Sequence, residues 1–273
     1  MVYFAKNYLI VSITEYIKHL QSFEEYAFSW EEVLENCKSP VSTLRKELNR
    51  LAKRNEITNL RKGFYLILPP RYQQMGKLPI QLYVEKLFKY LQRDYYLGLY
   101  SAAAIHGASH QRIQQEYIIT KPQVLRDIEK GNNRIRFFIS ENWSTNNIIE
   151  KKSDAGKFKV SSPALTAVDL IYYQTKIGGA NRILANLEEL FEEISNDDLT
   201  KLLAWYPYKS ALQRVGFFME ETNAREELIE LIYQHLQKDS FYPALLNPTQ
   251  GKRPSKTGNR WKIDVNIKLE NDL

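Results

Sequence analysis

Cysteine is almost missing from this chain of 273 residues, which contains only Cys37. A single cysteine excludes an intramolecular disulfide framework and any zinc site built from clustered cysteines. Long apolar runs are missing as well, and the first segment, MVYFAKNYLIVSITEYI, lacks the basic region, apolar stretch and cleavage site of a signal peptide. We therefore expect a protein of the reducing cytoplasm that has no membrane partner.

Excess charge is confined to one segment of the chain. The sequence carries 38 basic and 32 acidic residues, a formal net charge of +6. Eight of the basic and two of the acidic residues fall between Lys38 and Lys62, so this stretch holds the whole excess and the remainder is neutral. A basic surface localised in this way is typical of nucleic-acid binding, because each cation can neutralise a phosphate.

Local signals predict three short helices before residue 56 and a hairpin after them. The segment SITEYIKHLQSF has apolar residues at helical spacing, and Ser29 with Glu32 in FSWEEVLENC has a capping-box pattern. A third helix is expected to begin at Ser39, with Pro40 at its first helical position. ITNLRKGFYLIL is rich in β-branched and aromatic residues and is predicted to turn at Gly63. This is the element order of a winged helix-turn-helix domain.

The third helix is the predicted recognition helix. At 3.6 residues per turn its apolar residues share one face, which is expected to be core: Val41, Leu44, Leu48 and Leu51. Its opposite face lacks carboxylates, since Glu47 and Glu56 fall elsewhere, and its residue types suit the edges of bases in the major groove. The hairpin tip is expected to hold a phosphate or to enter the minor groove. The predicted DNA-binding residues are Ser42, Thr43, Arg45, Lys46, Asn49, Arg50, Lys53, Arg61 and Lys62.

The expected fold class is α+β, with an N-terminal winged helix-turn-helix domain at residues 1–70 and a mixed α/β domain at residues 80–273. Proline and glycine in PPRYQQMGKLP are typical of a linker, placed at residues 71–79. Beyond it, QEYIIT, RIRFFIS and KKSDAGKFKV are predicted to form strands. SSPALTAVDLIYY is a predicted helix with Ser162 as N-cap and Pro163 at its first position, and apolar alternation in RWKIDVNIKLE predicts a terminal strand.

Patterns that would indicate catalysis are weak. His106 and His110 stand four apart in HGASH but lack the glutamate of the HExxH metal motif, and GKRPSKTG lacks Walker spacing and is interpreted as a basic loop. The EKK stretch at residues 150–152, with Asp127 upstream, resembles part of a restriction-type nuclease site, although charged residues on the wet face of a strand explain it equally well. A metal-dependent DNA nuclease and a non-enzymatic protein-interaction module stay open as alternatives. No catalytic residue, metal or cofactor is assigned.

Six stretches spread over the chain carry a resemblance to a known family. They are STLRKELNRLAKRNEITNLRKGFYLI, YLGLYSAAAIHG, SSPALTAVDL, GGANRILANLEEL, LQRVGFF and RWKIDVNIKLE. By their order and spacing together, the chain resembles the AbiEi-type antitoxins of bacterial type IV toxin–antitoxin systems, which are also described as transcriptional regulators of abortive phage infection. An acidic residue often follows the SSP proline in that family, where this chain has Ala164. Some residues of these stretches are alternatively interpreted as turn and cap residues: Gly107, Pro163, Asp169, Gly178 and Gly179.

The resemblance implies two functions for the chain. A winged-helix domain would repress its own operon, and we expect its partner to be double-stranded operator DNA with inverted repeats. A second domain would neutralise a nucleotidyltransferase toxin encoded next to it, without a stable toxin–antitoxin complex. The chain itself is expected to be a monomer in solution and not an enzyme.

Overall fold

The computed structural model describes residues 12–109, 113–251 and 257–269, which form a mixed α+β protein as predicted. The helices are α1 (Ile13–Ser22), α2 (Trp30–Asn36), α3 (Val41–Lys53), α4 (Pro70–Gln73), α5 (Val84–Leu91), α6 (Leu99–Ile105), α7 (Pro163–Tyr172), α8 (Gln174–Ile177), α9 (Ala180–Glu193), α10 (Asn196–Leu203), α11 (Lys209–Glu221) and α12 (Glu226–Gln237). The strands are β1 (Ala27–Ser29), β2 (Ile57–Arg61), β3 (Phe64–Ile67), β4 (Tyr95–Leu97), β5 (Glu116–Thr120), β6 (Ile128–Lys130), β7 (Asn133–Ile139), β8 (Ile148–Ser153), β9 (Gly156–Ser161), β10 (Ala244–Leu245) and β11 (Ile263–Asp264).

Side-chain caps fix the starts of the first two helices. The Ser12 hydroxyl accepts a hydrogen bond from the Glu15 amide at the start of α1. At α2 the predicted capping box is confirmed, since Ser29 Oγ accepts from the Glu32 amide and the Ser29 amide donates to Glu32 Oε2 at 2.6 Å. Both bonds satisfy amides that a helix start leaves without partners inside the helix. The first residues of α1 and α2 are therefore set by local sequence.

Helix α3 differs from the sequence expectation at its first turn. Pro40 is the N-cap and the helix begins at Val41, so the proline does not occupy the first helical position. Leu44, Leu48 and Leu51 are buried as predicted, but Val41 is 48% exposed. Glu47 also lies on the buried face of α3. At 3.6 residues per turn, the centre of the face that these four residues form lies about 70° around the helix axis from Val41. The expectation that Val41 lies in the core is therefore wrong.

A three-stranded antiparallel sheet follows the helices in the order β1-β3-β2. Its β2–β3 hairpin turns at Gly63, as predicted, and this residue has a φ of +75°. A Cβ atom at Gly63 would lie 2.7 Å from the Tyr90 hydroxyl oxygen, so both the backbone conformation and the available space require glycine. The hairpin is thus held close to Tyr90 of α5.

A second sheet contains six strands in the order β6-β7-β5-β4-β9-β8. β6 pairs antiparallel with β7, and β4 pairs in parallel with β9, where Leu97 lies opposite Val160. The predicted strands in QEYIIT, RIRFFIS and KKSDAGKFKV are confirmed as β5, β7 and the pair β8 and β9.

The terminal strand predicted over residues 261–269 is wrong for most of its length. Only Ile263–Asp264 is a strand, paired in parallel with β10. Lys262 has a φ of +54°, outside the extended region, and the Asn266 amide donates to the Asp264 carbonyl oxygen, which turns the chain. Trp261 and Ile263 are buried, whereas Val265 is exposed. The apolar alternation in RWKIDVNIKLE therefore corresponds to two buried side chains, Trp261 and Ile263, and not to a long strand.

The chain divides into two compact units. Unit 1 consists of the described residues up to Tyr95 with Leu125–Arg136 and Glu150–Phe158; unit 2 consists of Tyr96–Val124, Phe137–Ile149 and the described residues from Lys159 onward. The predicted linker at residues 71–79 lies inside unit 1, directly after the start of α4 at Pro70. The predicted domain bounds stay a prediction.

Helix α7 is the central helix of the unit 2 core. The Ser162 hydroxyl accepts from the Leu165 amide and Pro163 occupies the first turn, which confirms the predicted start. Nearly every residue of α7 is buried, Asp169 included. Asp169 lies in the middle of this helix, so the interpretation of that residue as a turn or cap residue is wrong.

Elsewhere in unit 2, Gly216 of α11 lies directly under the ring of Trp261. Throughout the described ranges, no helix has both the length and the apolar character needed to cross a membrane.

Candidate nucleic-acid interface

The outer face of α3 presents polar and basic side chains to solvent. We call it the α3 outer face, and all of its residues are exposed: Ser42, Thr43, Arg45, Lys46, Asn49, Arg50 and Lys53. In the part of the chain that the structure describes, no hydrogen bond or ion pair engages the side chains of Ser42, Thr43, Lys46, Asn49 or Lys53. Their donors and acceptors are therefore available to a ligand.

The single carboxylate within α3 points away from this face. Glu47 is buried, and its two oxygens accept hydrogen bonds from the amides of Ile13 and Thr14, both at 3.1 Å, and from the Thr14 hydroxyl at 2.7 Å. A carboxylate in this position accepts hydrogen bonds from amides that have no partner inside the helix, and its negative charge is stabilised by the positive N-terminal end of α1. One weak contact links it to the outer face, at 3.9 Å from Arg50 Nη2. Glu47 therefore attaches α3 to α1 and leaves the cations of the outer face largely uncompensated.

The tip of the β2–β3 hairpin is held by two hydrogen bonds. The Trp30 amide at the start of α2 donates to the Gly63 carbonyl oxygen at 2.8 Å, and the Tyr90 hydroxyl donates to the Lys62 carbonyl oxygen at 3.1 Å. These bonds leave the Lys62 side chain exposed. Arg61 is half-buried, and its Nη1 atom is buried with no hydrogen-bond partner in the described structure. The two predicted hairpin residues therefore differ, because only Lys62 extends freely into solvent.

A cavity of about 420 Å³ lies between α3 and the hairpin. It brings together predicted site residues from both elements, namely Arg45, Asn49 and Lys62. The Arg45 guanidinium also lies over the Trp30 ring, 5.8 Å from its centroid, a distance at which cation–π attraction operates. Glu31, from the first turn of α2, lines the same cavity. The absence of carboxylates that was expected from α3 alone does not hold for this cavity.

Sequence reasoning missed Lys130 as a neighbour of the hairpin. Its ammonium group donates to the side-chain oxygen of Asn59 in β2 at 2.8 Å. The Asn59 amide in turn donates to the Arg61 carbonyl oxygen at 3.0 Å. Lys130 is 71 residues from Asn59 in the chain, and only the pairing of distant segments brings it there, so no local signal could have identified it.

The described side chains that were considered for catalysis have partners within the protein. Asp127 pairs with Arg136 at 3.7 Å and Glu150 pairs with Lys157 at 2.8 Å, so each carboxylate of the nuclease alternative has a cationic partner. His106 Nε2 lies 2.7 Å from the Ser161 carbonyl oxygen, while His110 and most of GKRPSKTG lie outside the described residues. Over the described ranges, no group of three or more His, Cys, Asp or Glu side chains could hold a metal ion.

The Cys37 thiol is also unreactive as a nucleophile at neutral pH. The residue is buried at the end of α2, and burial raises the pKa of its thiol to about 11. A thiol with a raised pKa is a poor nucleophile at neutral pH, because the thiolate is the reactive form.

Comparisons with known proteins connect this architecture to a family. The crystal structure of RV2827C protein from Mycobacterium tuberculosis has a similar fold, with a TM-score of 0.64 and 14% identity, covering 96% of this chain and 94% of that chain. At that identity the likeness concerns the fold alone. A search of curated proteins found no match. Residues 96–221 match the family model of the AbiEi antitoxin C-terminal domain. The resemblance predicted from the sequence is thereby confirmed, and residues 96–221 belong to the AbiEi antitoxin C-terminal domain family, which indicates an antitoxin role for the chain.

Proposed function

We propose that the chain is a DNA-binding autorepressor and antitoxin of a type IV toxin–antitoxin system, and that it counters a nucleotidyltransferase toxin. The α3 outer face carries the DNA-binding half of the proposal. Its exposed cations have few carboxylates near them, and they lie on one helix beside a basic hairpin. Such an arrangement suits the major groove of B-DNA, which admits one α-helix.

The element order of unit 1 supports a winged helix-turn-helix. Helices α2 and α3 follow one another closely and precede a hairpin that pairs with β1. In such a domain the second helix of the turn contacts base edges. We assign Lys46, Asn49 and Arg50 to the bases, because these types pair with guanine or adenine.

The remaining cations position the protein on the phosphate backbone. Lys53 at the end of α3 and Lys62 at the hairpin tip are exposed and have no ion-pair partner in the described chain. Contacts of this kind fix register and orientation without selecting a sequence. Operator recognition therefore depends on α3, while general DNA affinity is shared with the hairpin.

The antitoxin half rests on the family match at residues 96–221, which lies outside the α3 outer face and the hairpin. We propose that neutralisation depends on this region and proceeds without a stable complex with the toxin and without catalysis by the chain. Repression and neutralisation are then separable by mutation.

A double substitution, Lys46→Ala with Arg50→Ala, tests both halves in the full-length chain. Both side chains are exposed, so the fold should change in stability by less than about 0.5 kcal/mol per site. The control, Lys18→Ala with Lys238→Ala, also removes two exposed positive charges but lies outside α3 and the hairpin. We expect the test pair alone to lose operator binding and repression.

The same variants are then expressed from a foreign promoter with the toxin encoded beside the gene. We expect both to protect cells as the wild type does. If the α3 pair folds normally, reaches normal abundance and yet fails to protect, DNA binding itself carries neutralisation and the proposed separation is wrong. Cleavage of plasmid DNA that depends on a divalent metal would instead favour the nuclease alternative.

A further inference from the structure

A cavity in unit 2 is lined by aromatic rings around a buried carboxyl group. Its volume is about 280 Å³, slightly below the roughly 300–1,000 Å³ of pockets for drug-sized ligands. The aromatic side chains that line it are Tyr96, Tyr172, Tyr173, Trp205, Tyr206 and Tyr208. Asp169 and Glu141 also line the cavity, and none of the described lining residues is basic.

Asp169 is the polar centre of this cavity. It is 5% exposed, and the one hydrogen bond described for its carboxyl group is from the Tyr96 hydroxyl to Oδ2, at 2.9 Å. A carboxylate can accept about four hydrogen bonds, so most of its capacity is unused. Burial raises the pKa of this carboxyl group to about 8. Ionisation of this buried carboxyl group without a charged partner is costly, and a bound cation would offset that cost.

The rings form walls of the kind that attract positive charge. Tyr172 and Tyr208 lie 4.6 Å apart between centroids at 31°, and Tyr208 meets Tyr206 at 5.6 Å and 78°. Tyr172 and Tyr208 are partly exposed, whereas Tyr206 is buried. The negative faces of aromatic rings bind ammonium and guanidinium groups, most strongly where water is excluded. Several aromatic rings thus line the cavity beside one buried acidic group.

We propose that this cavity binds a small organic cation, either an alkylammonium or a guanidinium group, with its charge against Asp169 and its carbon atoms against the tyrosine rings. The two acidic groups and the lack of a basic lining residue disfavour phosphates and carboxylates. The volume suits one head group, which either a free small molecule or a lysine or arginine side chain of a protein can supply.

The charge requirement is tested by calorimetric titration of the full-length chain with two cations, choline and agmatine. A third titration uses 3,3-dimethylbutan-1-ol, the uncharged analogue of choline with a similar shape. The titration is run near the pKa of Asp169, about pH 8. We expect choline or agmatine to bind at least about tenfold more tightly than the alcohol, because only a cation gains from the carboxylate and the ring faces. Equal binding of choline and the alcohol, or no binding of either cation, would overturn the proposal.

Two variants locate the binding. Asp169→Asn should reduce the preference for the cation over the alcohol severalfold, to the part that the aromatic rings supply. Tyr172→Leu removes one partly exposed ring and should weaken cation binding severalfold, whereas Tyr242→Leu changes a tyrosine that is 77% exposed and does not line the cavity, and should have no effect. An equal loss in the Tyr172 and Tyr242 variants would place the binding elsewhere and overturn the assignment.

A third series identifies the source of the cation. Nα-acetyl-lysine amide and Nα-acetyl-arginine amide carry the same head groups on a capped backbone. Binding of these compounds as tight as that of choline or agmatine supports a protein side chain as the ligand, whereas binding confined to the free cations supports a small molecule. Both outcomes retain the cation site; failure of every cation removes it.

Discussion

Asp169→Asn should change how the stability of the protein depends on pH. In the folded chain burial raises the pKa of Asp169 from 3.8 to about 8, while the Tyr96 hydroxyl bond lowers it only in part. Between these two values the folded state keeps a proton that the unfolded state releases. The free energy of unfolding therefore falls as pH rises from about 4 to about 8. Asparagine preserves the shape and can still accept from Tyr96, but it does not titrate.

The magnitude follows from the length of this pH interval. One group that is protonated only in the folded state contributes a slope of about −1.4 kcal/mol per pH unit. From pH 5 to pH 7 the wild type should therefore lose about 3 kcal/mol of stability through Asp169 alone. Loss of that much is a large share of the roughly 5–15 kcal/mol that stabilises a typical protein. The stability of Asp169→Asn relative to the wild type should therefore increase by about 3 kcal/mol between pH 5 and pH 7.

Urea denaturation of both proteins at pH 5, 6 and 7, followed by tryptophan fluorescence, measures this difference directly. All other titrating groups are common to the two proteins, so the difference in unfolding free energy isolates Asp169. Tyr96→Phe is the control, because it removes the hydrogen bond and keeps the carboxyl group, and it should retain the fall in stability with pH. A difference between wild type and Asp169→Asn that does not vary with pH would refute the reasoning.

Further expectations concern three other positions. Gly216→Ala would place a Cβ atom 2.1 Å from the Trp261 ring and should destabilise the protein by about 1–3 kcal/mol in urea denaturation, whereas Gly258→Ala meets no atom within 4 Å and should change little. Gly63→Ala strains a residue at φ +75° and should weaken DNA binding in a fluorescence anisotropy titration while the helical circular dichroism signal is retained. Glu31→Gln removes the carboxylate from the cavity between α3 and the hairpin, and the same titration should show tighter binding to all DNA sequences. Weaker binding after that change would mean that Glu31 orients Arg45 instead of opposing the DNA.

Local signals predicted those features that depend on residues close together in the chain. The capping box of Ser29 and Glu32 and the start of α7 at Ser162 and Pro163 involve groups within four positions, and each was confirmed. The hairpin at Gly63 was likewise marked by its own sequence. Such features need no knowledge of the rest of the fold, because the partners are fixed by helix or turn geometry.

The features that were missed depend on contacts between distant segments. Lys130 reaches the hairpin only through the pairing of segments 71 residues apart, and Glu31 joins the cavity beside α3 from a different helix. Burial raises the pKa of Asp169, and the hydrogen bond that partly lowers it comes from the hydroxyl of Tyr96, 73 residues away. The error at Val41 has the same origin, since the buried face of α3 is set by the role of Glu47 beneath α1.

The fold of unit 1 makes the basic segment available by occupying the acidic groups near it. Glu47 is bound to the first amides of α1, and Lys86 of α5 pairs with Glu25 at 2.7 Å and Glu32 at 3.0 Å. The cations of the α3 outer face and the hairpin tip are six: Arg45, Lys46, Arg50, Lys53, Arg61 and Lys62. If each met one phosphate, the slope of log affinity against log salt would reach about −5. In the proposed DNA complex, Glu31 would work against that limit. Its charge would oppose every phosphate regardless of sequence and so lower general DNA affinity, while the proposed base contact of Asn49 would be unaffected. Because specificity is a difference between two affinities, a penalty common to operator and other DNA cancels, and discrimination is left to the base contacts.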